Sequence, residues 1–118
     1  MMLLNIRGLL PRTHKNQYKV TFLSDYVDVN NSDVTFIALT ETWLKEHRDS
    51  EVNIDGYCIY RADRDRKRKR SGRDSGGTAL YIKDSCAPDA TKILQKSNGV
   101  CEILVVHAKL INTVFAVL

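Results

Sequence analysis

The stretch "VTFIALTETWL", residues 34–44, is the part of the sequence that decides the fold. It is apolar on both alternations as far as Leu39, and a strand with two apolar faces belongs in the middle of a layered structure. The run then ends at a carboxylate, Glu41, which by alternation falls on the side of Ile37 and Leu39. A charge taken out of water needs a partner, and a divalent cation is a strong one. The stretch therefore predicts a central strand with a possible cation ligand at its C-terminal end.

Patterns along the rest of the chain predict one helix and five more strands. Between Lys15 and Val29, apolar residues that include Phe22 and Tyr26 recur at intervals of three and four, which predicts a helix with a broad buried face. Apolar runs bounded by turn residues predict strands at residues 1–6, 56–60, 78–82, 102–110 and 113–118. This order of elements favours an α/β layered sandwich with at least one helix outside a sheet.

The length and composition predict one globular domain over residues 1–118. The chain is 43% hydrophobic and 27% charged, which allows it to bury a core. Because it ends at Leu118 inside an apolar strand pattern, whereas natural termini are more often polar and exposed, we expect this domain to be incomplete.

The cysteines and the apolar runs indicate where in the cell the protein is expected. Cys58, Cys86 and Cys101 are widely spaced and form no CxxC pair, so they predict neither a disulfide framework nor a zinc site, and we expect them to be reduced and mostly buried. No run has the length of a membrane span, and the first residues lack the features of a signal peptide. We therefore expect an intracellular protein without a membrane partner.

Positive charge is concentrated in residues 61–73, "RADRDRKRKRSGR", where eight basic and two acidic side chains give +6, against +4 for the whole chain. Such a segment attracts polyanions, which fits nucleic acid better than a small neutral substrate. It equally fits a solvated loop or a nuclear localisation patch, and the residues alone leave these alternatives open. The candidate nucleic-acid contacts are Arg64, Arg66, Lys67, Arg68, Lys69, Arg70 and Arg73.

Asn5 and Glu41 are the candidate metal site, because each lies at the end of an early predicted strand. Mg²⁺ keeps several waters and needs only one or two protein oxygens plus substrate phosphate, so a carboxylate beside an amide suits it. Taken alone, an acid at a strand end is more often a surface residue or a helix cap, and an Asn before a turn usually bonds its own backbone. The two residues by themselves therefore favour structural roles.

Five segments of the chain carry a family resemblance when they are taken in order. They are "LNIRGL" (4–9), "FIALTETWL" (36–44), "VNIDGYCIYRADR" (52–64), "SGGTALYIKDS" (75–85) and "SNGVCEILVV" (97–106). Together they resemble the endonuclease/exonuclease/phosphatase superfamily, and above all the apurinic-endonuclease-like domain of non-LTR (LINE-type) retrotransposons. The five segments span nearly the whole chain.

This resemblance implies a four-layer α/β sandwich, two packed β-sheets with outer helices, of which the chain would be the truncated N-terminal part. It implies DNA phosphodiester cleavage that depends on Mg²⁺ or Mn²⁺, with Glu41 as the metal-binding glutamate and Asn5 supporting the metal and the phosphate. The metal would stabilise the leaving 3′ oxygen while a deprotonated water attacks in line. The nick would prime reverse transcription, so the implied partners are DNA and the retroelement RNA or ribonucleoprotein, and the implied place of action is the nucleus.

The sequence departs from the family pattern in its catalytic residues. The family's catalytic tyrosine, its Asp-x-Asn pair, its later aspartate and its closing histidine are missing, and His14, His47 and His107 do not match that histidine. Such a sandwich needs about 200 to 250 residues, so we expect this portion to be inactive alone. The alternatives are a non-catalytic nucleic-acid-binding or decayed retroelement remnant, and a phosphatase or phospholipid-cleaving relative, which the concentrated positive charge disfavours.

The remaining conspicuous residues are predicted to be structural. Trp43 is expected in the core, although it could also touch a substrate sugar. Gly76-Gly77 precedes a strand and not a helix N-terminus, so it resembles a phosphate-binding loop only superficially. Packing in strands is expected to explain Tyr57, Tyr60 and Tyr81.

Overall fold

The computed structural model describes residues 2–10, 19–29, 34–64, 76–86, 89–97, 101–108 and 113–117. These residues form one helix, α1 (Lys19–Val29), and a short 3-10 helix, Asp49–Val52. Their strands are β1 (Met2–Asn5), β2 (Phe36–Thr40), β3 (Tyr57–Ala62), β4 (Thr78–Lys83), β5 (Thr91–Ser97), β6 (Glu102–Ala108) and β7 (Thr113–Val117). No helix within these ranges is long and apolar enough to cross a membrane.

The first sheet has β2 in its interior. Its strand order is β1-β2-β4-β3, with β1 parallel to β2 and the other neighbours antiparallel. Ile37 and Leu39 are buried in the core on one face, and Ala38 is buried in the core on the other. The central strand predicted from residues 34–44 is therefore confirmed. Since Asn5 is in register with Thr40, the C-terminal ends of β1 and β2 lie side by side.

Two apolar cores lie on opposite faces of this first sheet. One contains the buried side of α1, and the other lies against the second sheet, whose order is β5-β6-β7. The α1 residues in the first core are Val20, Leu23 and Val27, and the second-sheet residues in the other core are Leu104, Val106, Ala108 and Val117. A mixed α/β fold with two packed sheets is thus confirmed, while a fourth layer is not seen among the described residues.

The buried face of α1 is narrower than the sequence pattern predicted. Phe22 and Tyr26 are 63% and 42% exposed, so the prediction of a broad buried face is wrong. The predicted helix also included residues 15–18, which lie outside the described residues. One line of apolar side chains is enough to cover a sheet that has α1 on one face and the second sheet on the other.

One strand, β5, was not predicted. Almost all of its side chains are exposed, and its register with β6 shifts between Lys92 and Leu94. A bulge of this kind breaks the period of two on which strand prediction depends. Ile93 and Leu94 are 59% and 39% exposed, and the sequence shows no alternation at this point.

The cysteines are more exposed than expected, whereas the tyrosines have the structural roles predicted for them. All three cysteines lie in the described part of the chain and none forms a disulfide, but Cys58 and Cys101 are exposed. Cys58 lies on the edge strand β3, where its thiol donates to Asp84 over 2.8 Å. The tyrosine hydroxyls donate to backbone carbonyls, Tyr57 to Val34, Tyr60 to Ala90 and Tyr81 to Val52.

Candidate functional site

The backbone adopts an unusual conformation just after β1 and β2. Arg7, Glu41 and Trp43 all lie in the left-handed region, with φ of 49°, 57° and 57°. For a residue with a Cβ this conformation costs about 1 kcal/mol or more, so surrounding contacts must maintain it. Strained residues of this kind concentrate at binding and catalytic sites. The loops 6–9 and 41–43 therefore form the candidate functional site.

Hydrogen bonds fix the 41–43 loop from both sides. The amides of residues 8–9 donate to the carbonyls of residues 41–42 over 2.8 and 3.0 Å. On the other side, the Thr42 amide donates to the Gly77 carbonyl over 3.2 Å, and the Trp43 amide donates to the Gly76 carbonyl over 2.9 Å. The loop is thus joined to the chain segments that follow β1 and precede β4, which explains how the strained conformation is kept.

The first residue of α1 fixes the other loop. Lys19 donates through Nζ to the carbonyl oxygens of Ile6 and Arg7 over 2.6 and 2.9 Å. A lysine ammonium satisfies carbonyls that leave the strand ladder when the chain turns. The helix therefore contributes to the site through this one polar contact as well as through its apolar face.

The Glu41 carboxylate is oriented by two donors. Its Oε2 accepts hydrogen bonds from Trp43 Nε1 at 2.9 Å and from the Gly76 amide at 3.0 Å. Within the described residues, Oε1 accepts no hydrogen bond. Burial alone would raise the pKa of Glu41, but the two hydrogen bonds and the charges of Arg64 and Arg7 outweigh it and hold that pKa below its ordinary value. Glu41 is therefore ionised at neutral pH, with one oxygen open to another ligand.

Trp43 supports the site and is not simply part of the core. The side chain is half-buried, and its ring lies so close to Gly8 that a Cβ there would be 2.7 Å from Trp43 Cε3. With its ring fixed against the β1 loop, the indole can hold its N–H on Glu41. The expectation that Trp43 packs in the core was thus incomplete. The alternation of strand residues does not predict that Glu41 and Trp43 both adopt left-handed conformations in one short loop.

Gly76 and Gly77 contribute to the site, although the sequence pattern predicted no functional role for them. Both have positive φ, 74° and 91°, which favours glycine. A Cβ on Gly77 would overlap Thr42 Oγ1, and one on Gly76 would overlap the Arg64 guanidinium. The Gly-Gly dipeptide before a strand was a visible signal, but its function, to let two chain segments approach the 41–43 loop, depends on contacts far apart in sequence.

Asn5 is brought near Glu41 by the strand pairing. It is exposed at the end of β1 and in register with Thr40, the residue before Glu41. Both residues are described, and their side chains share no hydrogen bond. The structure therefore brings together the two strand ends that the metal-site prediction requires, and the joint binding of a cation by the two side chains stays a prediction.

Arg64 is the one predicted nucleic-acid contact that lies in the described residues. Its Nε and Nη2 donate to Glu102 Oε1 and Oε2 over 2.5 and 3.3 Å. This bond to Glu102, at the start of β6, raises the pKa of Arg64, and Glu41 adds to that effect. The other predicted contacts, Arg66, Lys67, Arg68, Lys69, Arg70 and Arg73, lie outside the described residues.

Arg61, in the same basic segment, is committed to internal contacts. Its guanidinium donates to the carbonyls of Lys45 and His47 over 2.9 and 2.7 Å. It also forms ion pairs with Asp49 and Asp63 at 3.2 and 2.6 Å, and its side chain is only 12% exposed. Arg61 thus fixes the chain that follows Trp43, so less of the +6 charge counted for the segment remains available for a polyanion.

The side chains at the candidate site can be compared with what a magnesium ion requires. They contain no group of three or more His, Cys, Asp or Glu side chains that could bind a metal ion. Mg²⁺ needs only one or two protein oxygens when water and phosphate complete its shell, and an ionised carboxylate with a free oxygen is suitable. Glu41 could supply one such oxygen, and the side-chain amide of Asn5, at the neighbouring strand end, could supply a second. These two residues therefore fit the few protein ligands that Mg²⁺ requires.

Comparison of the chain with protein-family models gave no match, and comparison with curated proteins gave none either. The resemblance to the endonuclease/exonuclease/phosphatase superfamily therefore rests on the five sequence segments alone.

We predict that the indole N–H of Trp43, the single tryptophan, reports the protonation of Glu41. Since the folded pKa of Glu41 is lowered from its ordinary value of 4.5, its hydrogen bonds stabilise the fold fully above that value, and this stabilisation is lost as the pH falls through the folded pKa. The indole resonance in ¹H-¹⁵N NMR spectra should move with a midpoint below pH 4.5. A higher midpoint, or the same transition in Glu41→Gln, would contradict this assignment.

A second prediction separates steric overlap from backbone strain at the glycines. Gly56 and Gly77 have similar φ, 84° and 91°, but a Cβ on Gly56 would meet nothing within 4 Å. Gly56→Ala should lower the free energy of unfolding by about 1 kcal/mol, from strain alone. Gly77→Ala should lower it by about 3 kcal/mol, since overlap with Thr42 is added. Equal losses in urea denaturation would show that the Gly77 contact is not close.

Proposed function

We propose that the chain is the N-terminal portion of a Mg²⁺-dependent DNA endonuclease domain of the non-LTR retrotransposon type. The observation that supports this most is the Glu41 carboxylate, which Trp43 and Gly76 orient on a strained loop beside the end of β1. A protein that maintains such a costly arrangement around an ionised group, with one oxygen left open, is suited to bind a cation. The sequence segments supply the reaction class, phosphodiester hydrolysis.

The proposal includes the four-layer sandwich. In the described residues, α1 and the two sheets would be three of its layers. Support for a fourth comes from the outer face of the second sheet, where Val114 is 58% exposed and Leu94 is 39% exposed. On the register of β5, β6 and β7, these side chains share that face with Ile103 and Val105. A further layer would remove this apolar surface from water.

Within this function Glu41 would bind the cation through Oε1 while Oε2 keeps its bonds to Trp43 and Gly76. The bound ion supplies Lewis-acid stabilisation of the leaving oxygen. Asn5 would orient a phosphate oxygen or a water of the metal shell from the neighbouring strand end. Arg7, exposed on the 6–9 loop that follows β1, would add positive charge that attracts a phosphate. The resemblance assigns the general base to residues that this sequence lacks, so we propose that the portion binds metal and DNA without cleaving alone.

A second candidate function is nucleic-acid binding without catalysis. It is favoured by the concentration of basic residues in the 61–73 segment. The two candidates predict different behaviour toward divalent cations, since only the first requires one at Glu41.

Binding of Mn²⁺, as a paramagnetic substitute for Mg²⁺, tests the first function on this chain. Mn²⁺ should broaden the Trp43 indole resonance, and Mg²⁺ should compete. Glu41→Gln should weaken the broadening at least about tenfold because the ligand charge is lost. Glu46→Gln, which removes an exposed carboxylate three residues from Trp43, is the matched control and should behave as the wild type.

A nicking assay is the second test of the predicted role of Glu41. In the complete domain that the proposal implies, Glu41→Ala should abolish Mg²⁺-dependent nicking of plasmid DNA and leave the fold intact. Undiminished nicking, or equal Mn²⁺ broadening in wild type and Glu41→Gln, would remove Glu41 from the site. Broadening that fails in every variant while DNA still binds would favour the non-catalytic function.

Salt dependence tests DNA binding by the basic segment. Replacing the five residues Arg66, Lys67, Arg68, Lys69 and Arg70 by glutamine should weaken binding and flatten the plot of log affinity against log salt. The slope should fall by up to about 4.5 if each contacts one phosphate of a duplex. Lys92→Gln with Lys96→Gln, on the exposed strand β5, is the comparison. An unchanged slope in the five-residue variant would assign the segment to a solvated loop.

A further inference from the structure

We propose that Arg64 is a positioning residue for Glu41, and that Glu102 of the second sheet holds Arg64 in place. The inference deepens the proposed function and rests on it for the metal ion. The geometry that supports it is independent of any ligand. It gives Arg64 a role other than the nucleic-acid contact predicted from its place in the basic segment.

The Arg64–Glu102 pair has the geometry of a fixed contact. Two nitrogens of one guanidinium donate to the two oxygens of one carboxylate, which restricts the rotation of both groups. The side chains are only 17% and 5% exposed, so water hardly competes for either. Buried ion pairs contribute little net stability compared with apolar residues of the same volume. A role in positioning therefore explains the pair better than a role in stability.

Gly76 lies between Arg64 and the site carboxylate. The guanidinium packs against Gly76 so closely that a side chain there would overlap Nε and Cζ. The Gly76 amide donates to Glu41 Oε2, and its carbonyl accepts from the Trp43 amide. A displacement of Arg64 would thus free Gly76 to move, and both contacts of Gly76 with the 41–43 loop would change with it.

The charges are consistent with this arrangement. Arg64 bonds to Glu102 and not to Glu41, so it leaves Oε1 to another ligand. Apart from its packing on Gly76, it affects Glu41 through its charge at a distance. A direct ion pair would instead occupy the oxygen that a cation needs. Glu102 thus keeps the Arg64 guanidinium close to Glu41 without a direct ion pair between Arg64 and the Glu41 carboxylate.

The test compares variants by the Trp43 indole resonance and by its broadening with Mn²⁺ alone. The double variant Arg64→Met with Glu102→Leu removes both members of this ion pair together, so the net charge does not change. We expect its indole resonance to move toward that of Glu41→Gln, and its apparent Mn²⁺ affinity to fall about tenfold or more. Arg64→Lys keeps the charge but not the two-bond geometry, and should move the resonance in the same direction.

Tyr60→Phe is the matched control, because it removes a different contact between the sheets, the hydroxyl bond to the Ala90 carbonyl at 3.2 Å. It should leave the indole resonance unchanged. An unchanged resonance in the folded double variant, or in Arg64→Lys if the double variant does not fold, would overturn the proposal. If the indole resonance of the variants moves as expected but neither the wild type nor any variant binds Mn²⁺, the positioning role is supported and the metal function is refuted.

Discussion

The hydrogen bonds between the 41–43 loop and the glycine pair 76–77 are the constraint on which the site depends. They join the end of β2 to the start of β4, and the β1 loop completes the arrangement from the other side. Without these bonds, Glu41 and Trp43 would have no reason to adopt left-handed conformations that each cost about 1 kcal/mol. Only glycine allows the approach at 76 and 77, since any Cβ would overlap Arg64 or Thr42.

The position of β2 explains why a carboxylate occurs where it does. A strand buried on both faces cannot hold a charge along its length, so an acid can only lie where the strand ends. The parallel neighbour β1 ends at the same edge, which places a second polar side chain, Asn5, beside it. The burial that makes β2 central therefore also concentrates polar groups at one edge of the first sheet.

The sequence predicted the parts of this arrangement that depend on local pattern. The two apolar alternations of β2 identified its central place, and the strand ends identified Asn5 and Glu41. The alternation rule no longer applies at Glu41, because β2 ends at Thr40 and a left-handed residue does not follow the period of two. Gly76 binds Glu41 from 35 residues away, and no local pattern contains such a contact. The same limit applies to β5, whose bulge removes the period that a strand would show.

The Arg64–Glu102 pair adds a dependence of the site on the second sheet. Glu41 makes its backbone contacts with the segments that follow β1 and precede β4, at the edge of the first sheet. The guanidinium that packs on Gly76 is nevertheless held by a side chain of β6. Because the two sheets must be packed before Glu102 can reach Arg64, the final geometry of the carboxylate is reached only when the sheet interface has formed. The site is therefore a product of the assembled fold, although Asn5 and Glu41 both lie at one edge of the first sheet.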